Sequence, residues 1–323
     1  MLSQNNYSNK IFFRRPLNNQ PNGSTVQVQV HQRYFWNRQW SGYGTRCTEA
    51  NVIAKTQISV SNYMICYINC SSSTYPSSGL STIMTSTDCD QNPLVRSWAG
   101  ERYDTLSLPL TTSITIGYSS SVWFGPNLYP AADGTWALVN RINLSVRPDG
   151  YINSSPVTNT LPVLFKPVGQ QLVHVIQQQI EENCTLVFTL PVSYVGWYIV
   201  VALQIEDYFN SSYTTPMSSV PIQFLFYAYA AASNSCTTRP QIIGERPNRA
   251  KVERDINENH ELVNHFNLIS YFFSKLDVTI TERVIAQSFC SAATISNFVT
   301  SSPIGMQHST VISQGGGTFY NSH

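Results

Sequence analysis

The chain has 323 residues, room for two or three domains of ordinary size. Only 11% of them are charged and the formal net charge is +1, so electrostatics give no basis for binding nucleic acid or an anionic membrane surface. Apolar residues make up 42%, enough for real cores, while 66 Ser and Thr and 26 Asn occupy the positions that charges leave, as is common in secreted β-proteins.

Residues 1–23 are rich in Asn, Gln and Pro and are expected to be disordered. Their one apolar cluster, Ile11-Phe12-Phe13, is too short for a secretory leader. Residues 24–150 follow as a β-sandwich or jelly-roll module. Strands are predicted at Thr25–Trp36, Val52–Val60, Tyr63–Ile68, Thr105–Leu110, Ser113–Tyr118 and Trp136–Val146, with turn residues at short intervals between them. Five of the six Trp lie here: Trp36, Trp40, Trp98, Trp123 and Trp136.

Asp149-Gly150 is a strong turn dipeptide and is read as a module boundary. Residues 151–232 then read as an incomplete immunoglobulin-like sandwich. Its strands are expected at Leu161–Phe165, Leu172–Ile176, Thr185–Leu190, Trp197–Ile205 and Val220–Tyr229. Trp197, Ile199, Val201, Leu203 and Ile205 alternate at period two, as do Val220, Ile222, Phe224 and Phe226, so each run offers one apolar face to a core. Five strands fall short of the roughly seven in a complete immunoglobulin-like domain.

Residues 233–276 read as a charged linker or insert. The stretch 245–284 holds thirteen of the 37 charged residues, and Leu262, Phe266, Ile269, Phe273 and Leu276 recur at helical spacing within Val252–Leu276. Residues 277–323 return to a β-pattern and read as a truncated module, with Phe319-Tyr320 opening a strand that has nothing to pair with. The fold class expected is therefore all-β: tandem sandwich modules, the second short of strands and the third truncated, with one possible amphipathic helix near 252–276. No stretch reaches the ~18–20 apolar residues of a membrane span, so no transmembrane segment is expected in this chain.

Seven cysteines are present, and Cys47, Cys66, Cys70 and Cys89 cluster between predicted strands. The absence of any Cys-x-x-Cys argues against a zinc ribbon, and these four are the disulfide candidates. Four cysteines allow three pairings, among which spacing does not choose. Cys184 is expected to lack a disulfide partner. Sequons occur at Asn6, Asn22, Asn69, Asn143, Asn153, Asn183 and Asn210. About five would arise by chance at this composition, so their number is weak support for N-glycosylation. Asn69, Asn153 and Asn210 lie beside turn residues, where a glycan is best tolerated.

Motifs for chemistry fail on spacing. His260 and His265 are five apart, about 140° around a helix, whereas a zinc-protease pair needs i and i+4. Asp88-Cys89-Asp90 opens like a calcium loop but has Pro93 where glycine belongs. Glu206-Asp207 reads as a solvated strand end rather than a cation site, and His31 and His174 read as structural. No nucleophile elbow, P-loop or dinucleotide fingerprint occurs. No cofactor, catalytic set or metal site is expected, and the chain is not expected to be an enzyme.

Three stretches resemble a family of large, multi-module extracellular proteins of invertebrate animals. They are Trp136–Val157 (WALVNRINLSVRPDGYINSSPV), Val200–Gly244 (with TTPMSSVPIQFLF and CTTRPQIIG) and Thr281–Met306. The resemblance implies immunoglobulin- or cadherin-like sandwiches in tandem, and it supplies no activity and no binding residues. This chain departs from the pattern at VIQQQIEE after His174, at the Lys251–Leu276 insert, and in its short third module, as a fragment would. The function expected is a non-enzymatic structural or adhesive role outside the cell or at its surface, with other extracellular proteins or glycans as partners. The alternative is a lectin-like module using exposed Trp and Tyr of residues 24–148.

Overall fold

The computed structural model describes residues 6–16, 21, 23–37, 47–58, 62–90, 95, 97–120, 128–129, 135–156, 158, 160–176, 184–231, 241–243, 283–289, 295, 304–307 and 309–322, with backbone only for 6–16, 37, 128–129, 242 and 321–322. The possible helix at Val252–Leu276, His260, His265, Trp40 and Trp123 lie outside the described residues, as do Asn22 and Asn183. The chain is all-β. Its strands are β1 (Asn6–Pro16), β2 (Thr25–Asn37), β3 (Gln57–Ile58), β4 (Ile65–Ile68), β5 (Met84–Cys89), β6 (Ser97–Pro109), β7 (Ser113–Ser120), β8 (Leu128–Tyr129) and β9 (Trp136–Asn143). Then come β10 (Val163–Pro167), β11 (Gln171–Ile176), β12 (Cys184–Thr189), β13 (Tyr198–Asp207), β14 (Ser218–Tyr229), β15 (Gln241–Ile243), β16 (Arg283–Gln287), β17 (Ile312–Gly315) and β18 (Thr318–Ser322).

One twelve-stranded sheet runs β3-β5-β6-β2-β1-β14-β9-β7-β4, with β10 and β13 attached to β14 and β8 attached to β13. This path folds over on itself. Tyr34 of β2 meets Tyr118 of β7 at 5.6 Å between ring centroids, and Trp36 meets Trp136 of β9 at 6.4 Å. The first core fills the space between, from Val28, Val30 and Tyr34 on one side to Ile116, Leu138 and Ile142 on the other.

Strand β14 is the hinge of the architecture. One of its edges carries β13, antiparallel, from Tyr198↔Tyr227 to Asp207↔Ser218. Its other edge serves three strands in succession: β9 at Ser219, β1 at Ile222 and Gln223, and β10, in parallel, from Leu225 to Tyr229. Both faces are used as well. Ile222, Phe224 and Phe226 enter a second core with Leu164, Ile176 and Ile205, while Leu225 and Tyr227 belong to the first. The antiparallel pair β11–β12 covers the second core from outside, placing Ile176, Leu186 and Phe188 over it. All five strands predicted between 151 and 232 are therefore present.

Four expectations are corrected. The disorder expected for residues 1–23 does not hold for Asn6–Pro16, which is an interior strand, paired to β2 from Asn6↔Trp36 to Pro16↔Val28 and to β14 on its other side. Two flanking edges in need of hydrogen bonds outweigh the poor strand propensity of its polar residues. Asp149-Gly150 makes a tight turn, with Gly150 at φ +84°, but the sheet continues across it, so 150 separates no two sheets. The strand expected at Val52–Val60 opens instead as a short helix, α1 (Glu49–Ile53), because the Thr48 N–H donates to Asn51 Oδ1 at 2.8 Å and caps it. Finally, Phe319-Tyr320 is well paired. β18 lies between β16 and β17 in a four-stranded sheet, and β15, from the supposed linker, completes it. Gly316 and Gly317, at φ +58° and +78°, turn β17 into β18, a conformation other residues resist.

Candidate functional site

Pairing of β2 with β6 sets Arg33 opposite Glu101 and His31 opposite Tyr103. The Glu101 carboxylate is 1% exposed. It accepts from His31 Nε2 at 2.8 Å, from the Tyr103 hydroxyl at 3.2 Å and from the backbone N–H of Ile304 at 2.8 Å. The His31 ring stacks on Tyr103 at 4.2 Å. Burial alone pushes the Glu101 carboxyl up. The His31 hydrogen bond, the Arg33 and His31 charges and the Ile304 N–H pull harder and hold it at about 2. A saturated carboxylate with that affinity for protons is neither a base nor an acid near neutrality. It fastens residue 304 of the C-terminal segment to the first sheet.

A second titratable cluster lies in the second core. Lys166, 1% exposed, holds its ammonium 5.0 Å from the centre of the Phe226 ring and 5.9 Å from that of Phe188. His174 meets Phe224 and Phe226 edge-on at 5.6 and 5.3 Å. Burial first, and then the Lys166 charge, push the His174 imidazole down to about 3, so it is neutral throughout the physiological range. His31 lies in β2 and His174 in β11, each with its ring packed against aromatic neighbours.

The disulfide candidates do come together. Cys47 bonds Cys89 with Cα atoms 6.0 Å apart, and Cys66 bonds Cys70 at 5.8 Å. The first bond is buried beside Val52 and Trp98. The second staples β4, the end strand of the sheet, where Ile65, Tyr67 and Ile68 are exposed, as is Tyr63 just before it. Gly117 gives Tyr67 its seat, since a Cβ there would stand 2.7 Å from the tyrosine ring. Cys184 lies outside both bonds and is exposed.

Asp88 sits within β5 rather than a calcium loop. Glu206 accepts from the Tyr208 hydroxyl at 2.7 Å, and both Asp207 oxygens accept from Asn153 Nδ2 at 3.0 Å. Burial raises the Asp207 pKa against these hydrogen bonds. Among the described residues no cluster of three or more His, Cys, Asp or Glu is placed to hold a metal ion. Nor is any of their helices long and apolar enough to cross a membrane. Of the sequon residues, Asn210 is exposed, Asn69 is exposed at φ +57°, Asn143 is half-buried and Asn153 is 4% exposed. The sequence signalled the cysteines and sequons but not Glu101 or Lys166, whose roles come only from cross-strand register. The chain matches no family model, no curated protein and no solved structure.

Proposed function

We propose that this chain is a non-enzymatic extracellular protein of β-sandwich modules with a structural or adhesive role, of the multi-module kind that its sequence resembles. The observation that carries the reading is the disulfide-stapled end strand β4. Disulfides persist where the surroundings are oxidising. A strand that leaves Ile65, Tyr67 and Ile68 in water, with exposed Tyr63 just before it, is suited to contact with another surface. Two measurements test it. Oxidised full-length protein on beads should promote clustering or cell attachment, and the pair Ile65→Ser and Ile68→Ser should abolish this. Protein recovered from its native setting should show Cys47, Cys66, Cys70 and Cys89 protected from alkylation until reduced. Unchanged attachment by the variant sinks the adhesive role, and four reactive thiols sink the extracellular one.

The lectin-like reading loses part of its footing. Trp36 and Trp136 are 3% and 4% exposed and belong to the first core, so neither can stack on a sugar. Exposed Tyr63 and Tyr67 keep the alternative alive, because a flat aromatic face beside hydroxyls is what a saccharide needs. Glycan-array binding that vanishes in Tyr63→Ala would favour it over protein adhesion.

A further inference from the structure

We infer that Asn210 is an acceptor of an N-linked glycan, and that the sequon at Asn153 is a structural one that carries none. For the native chain the inference rests on the extracellular reading above. Asn210 lies in the loop between β13 and β14, and residues 210 to 213 are all exposed. The loop is held at both ends of this stretch: Phe209 lies under the Arg147 guanidinium at 5.4 Å and against Tyr213 at 5.4 Å, and the Tyr213 N–H donates to the Asn210 carbonyl at 3.1 Å. Within the sequon, Asn210 Oδ1 accepts from both the Ser212 N–H, at 3.0 Å, and the Ser212 hydroxyl, at 2.6 Å. The hydroxyl that the sequon demands is therefore already on the amide oxygen, and the amide nitrogen is the end presented for reaction.

The step itself balances with one co-reactant, a lipid-pyrophosphate-linked oligosaccharide of the secretory compartment. Asn210 Nδ2 forms a bond to C1 of the reducing-end sugar, the bond from C1 to the phosphate oxygen breaks, Nδ2 gives up one proton, and the lipid pyrophosphate leaves.

Asn153 is the built-in contrast. Its Nδ2 donates to both Asp207 oxygens at 3.0 Å and lies 3.3 Å from Ser218 Oγ, and the residue is only 4% exposed. A sugar there would displace those bonds and have no volume to occupy. Asn143 shares only the backbone half of the Asn210 pattern, with Ser145 N–H at 3.1 Å, and Asn69 spends its Nδ2 on the Ser113 carbonyl at 3.0 Å.

The test directs the full-length chain through the secretory pathway of a eukaryotic cell behind a cleavable leader. Glycosidase release in heavy-oxygen water, followed by peptide mass spectrometry, then maps occupied asparagines in the secreted monomer. The expected result is a mass-tagged Asn210 and an untagged Asn153. Asn210→Gln and Ser212→Ala should each lose the same single glycan step on a gel, and Ser212→Thr should keep it. An untagged Asn210, or a tagged Asn153 in folded monomer, overturns the inference. Because the leader imposes the route, tagging at Asn210 stands even if the native chain proves not to be extracellular; that failure would be read in the native thiols instead.

Discussion

Phe224 and Leu225 are neighbours in β14, yet they face different cores. If β14 makes the two cores one unit, truncating either residue should weaken both. Phe224 is fully buried and meets His174 and Phe226 edge-on at 5.6 and 5.3 Å. Phe→Ala in a core costs roughly 3–5 kcal/mol, aromatic contacts adding to the area term, so about 4–5 kcal/mol is expected here. Leu225 is also fully buried, and its loss from the first core should cost about 3 kcal/mol. Against a domain stability of ~5–15 kcal/mol, either value is large. Hydrogen exchange read by mass spectrometry assigns the loss to particular strands. Phe224→Ala should speed exchange in peptides of β7 and β9, whose Ile116, Leu138 and Ile142 belong to the first core, as much as in β11 and β12. Faster exchange confined to β11 and β12 would show two independent units and refute the shared-strand argument.

Other outcomes follow from the same geometry. Replacing Cys47 and Cys89 by Ala opens a loop of 42 residues and should cost about 4 kcal/mol in denaturant unfolding, whereas opening the four-residue Cys66–Cys70 loop should cost about 2 kcal/mol. His174 binds a proton less readily in the folded chain than at its ordinary 6.5, so the stability it contributes is complete above about pH 6.5 and is lost as pH falls toward 3. The full effect is ~5 kcal/mol, and His174→Phe should flatten that limb of the pH–stability curve. Glu101 acts in the same direction lower down: its contribution, about 3 kcal/mol, is present above pH 4.5 and disappears as pH falls through 2. Gly317→Ala forces a Cβ within 2.5 Å of the Ser288 carbonyl oxygen at positive φ, and should raise exchange across β16, β17 and β18 while leaving β2 and β6 unchanged.

The sequence was legible where one face of a strand meets a core and the other meets water. In β13, Ile199, Val201 and Leu203 pack on the second core while Ala202 and Gln204 are exposed, so period two showed the strand directly. It misled in β14. Ser219 and Gln223 alternate with apolar residues and look solvent-facing, but both are buried, and Gln223 Nε2 donates to the Ala137 carbonyl at 2.8 Å. A polar residue satisfied by a neighbouring strand has the same sequence signature as one satisfied by water, which is why the junction of the cores went unseen. β1 and β5 were missed for a related reason: interior pairing rather than apolar patterning makes them strands. Clustering of the four cysteines was readable, but their pairing was not: the fold brings Cys47, outside any strand, to Cys89 on β5, while Cys66 on β4 bonds its near neighbour Cys70.

Strand β1 also imposes an order on events during synthesis. Its first edge can pair with β2 as soon as residue 37 is made, but its second must wait for β14, about 200 residues later. At roughly 5–20 residues per second, an edge destined for the interior stands open for on the order of 10–40 seconds on every ribosome. Neighbouring nascent chains carry the same edge at the same stage, so the wait is a window for pairing between chains. Slowing translation between β9 and β14 should lengthen that window and lower the yield of monomer, with no change in the stability of the molecules that do complete the sheet.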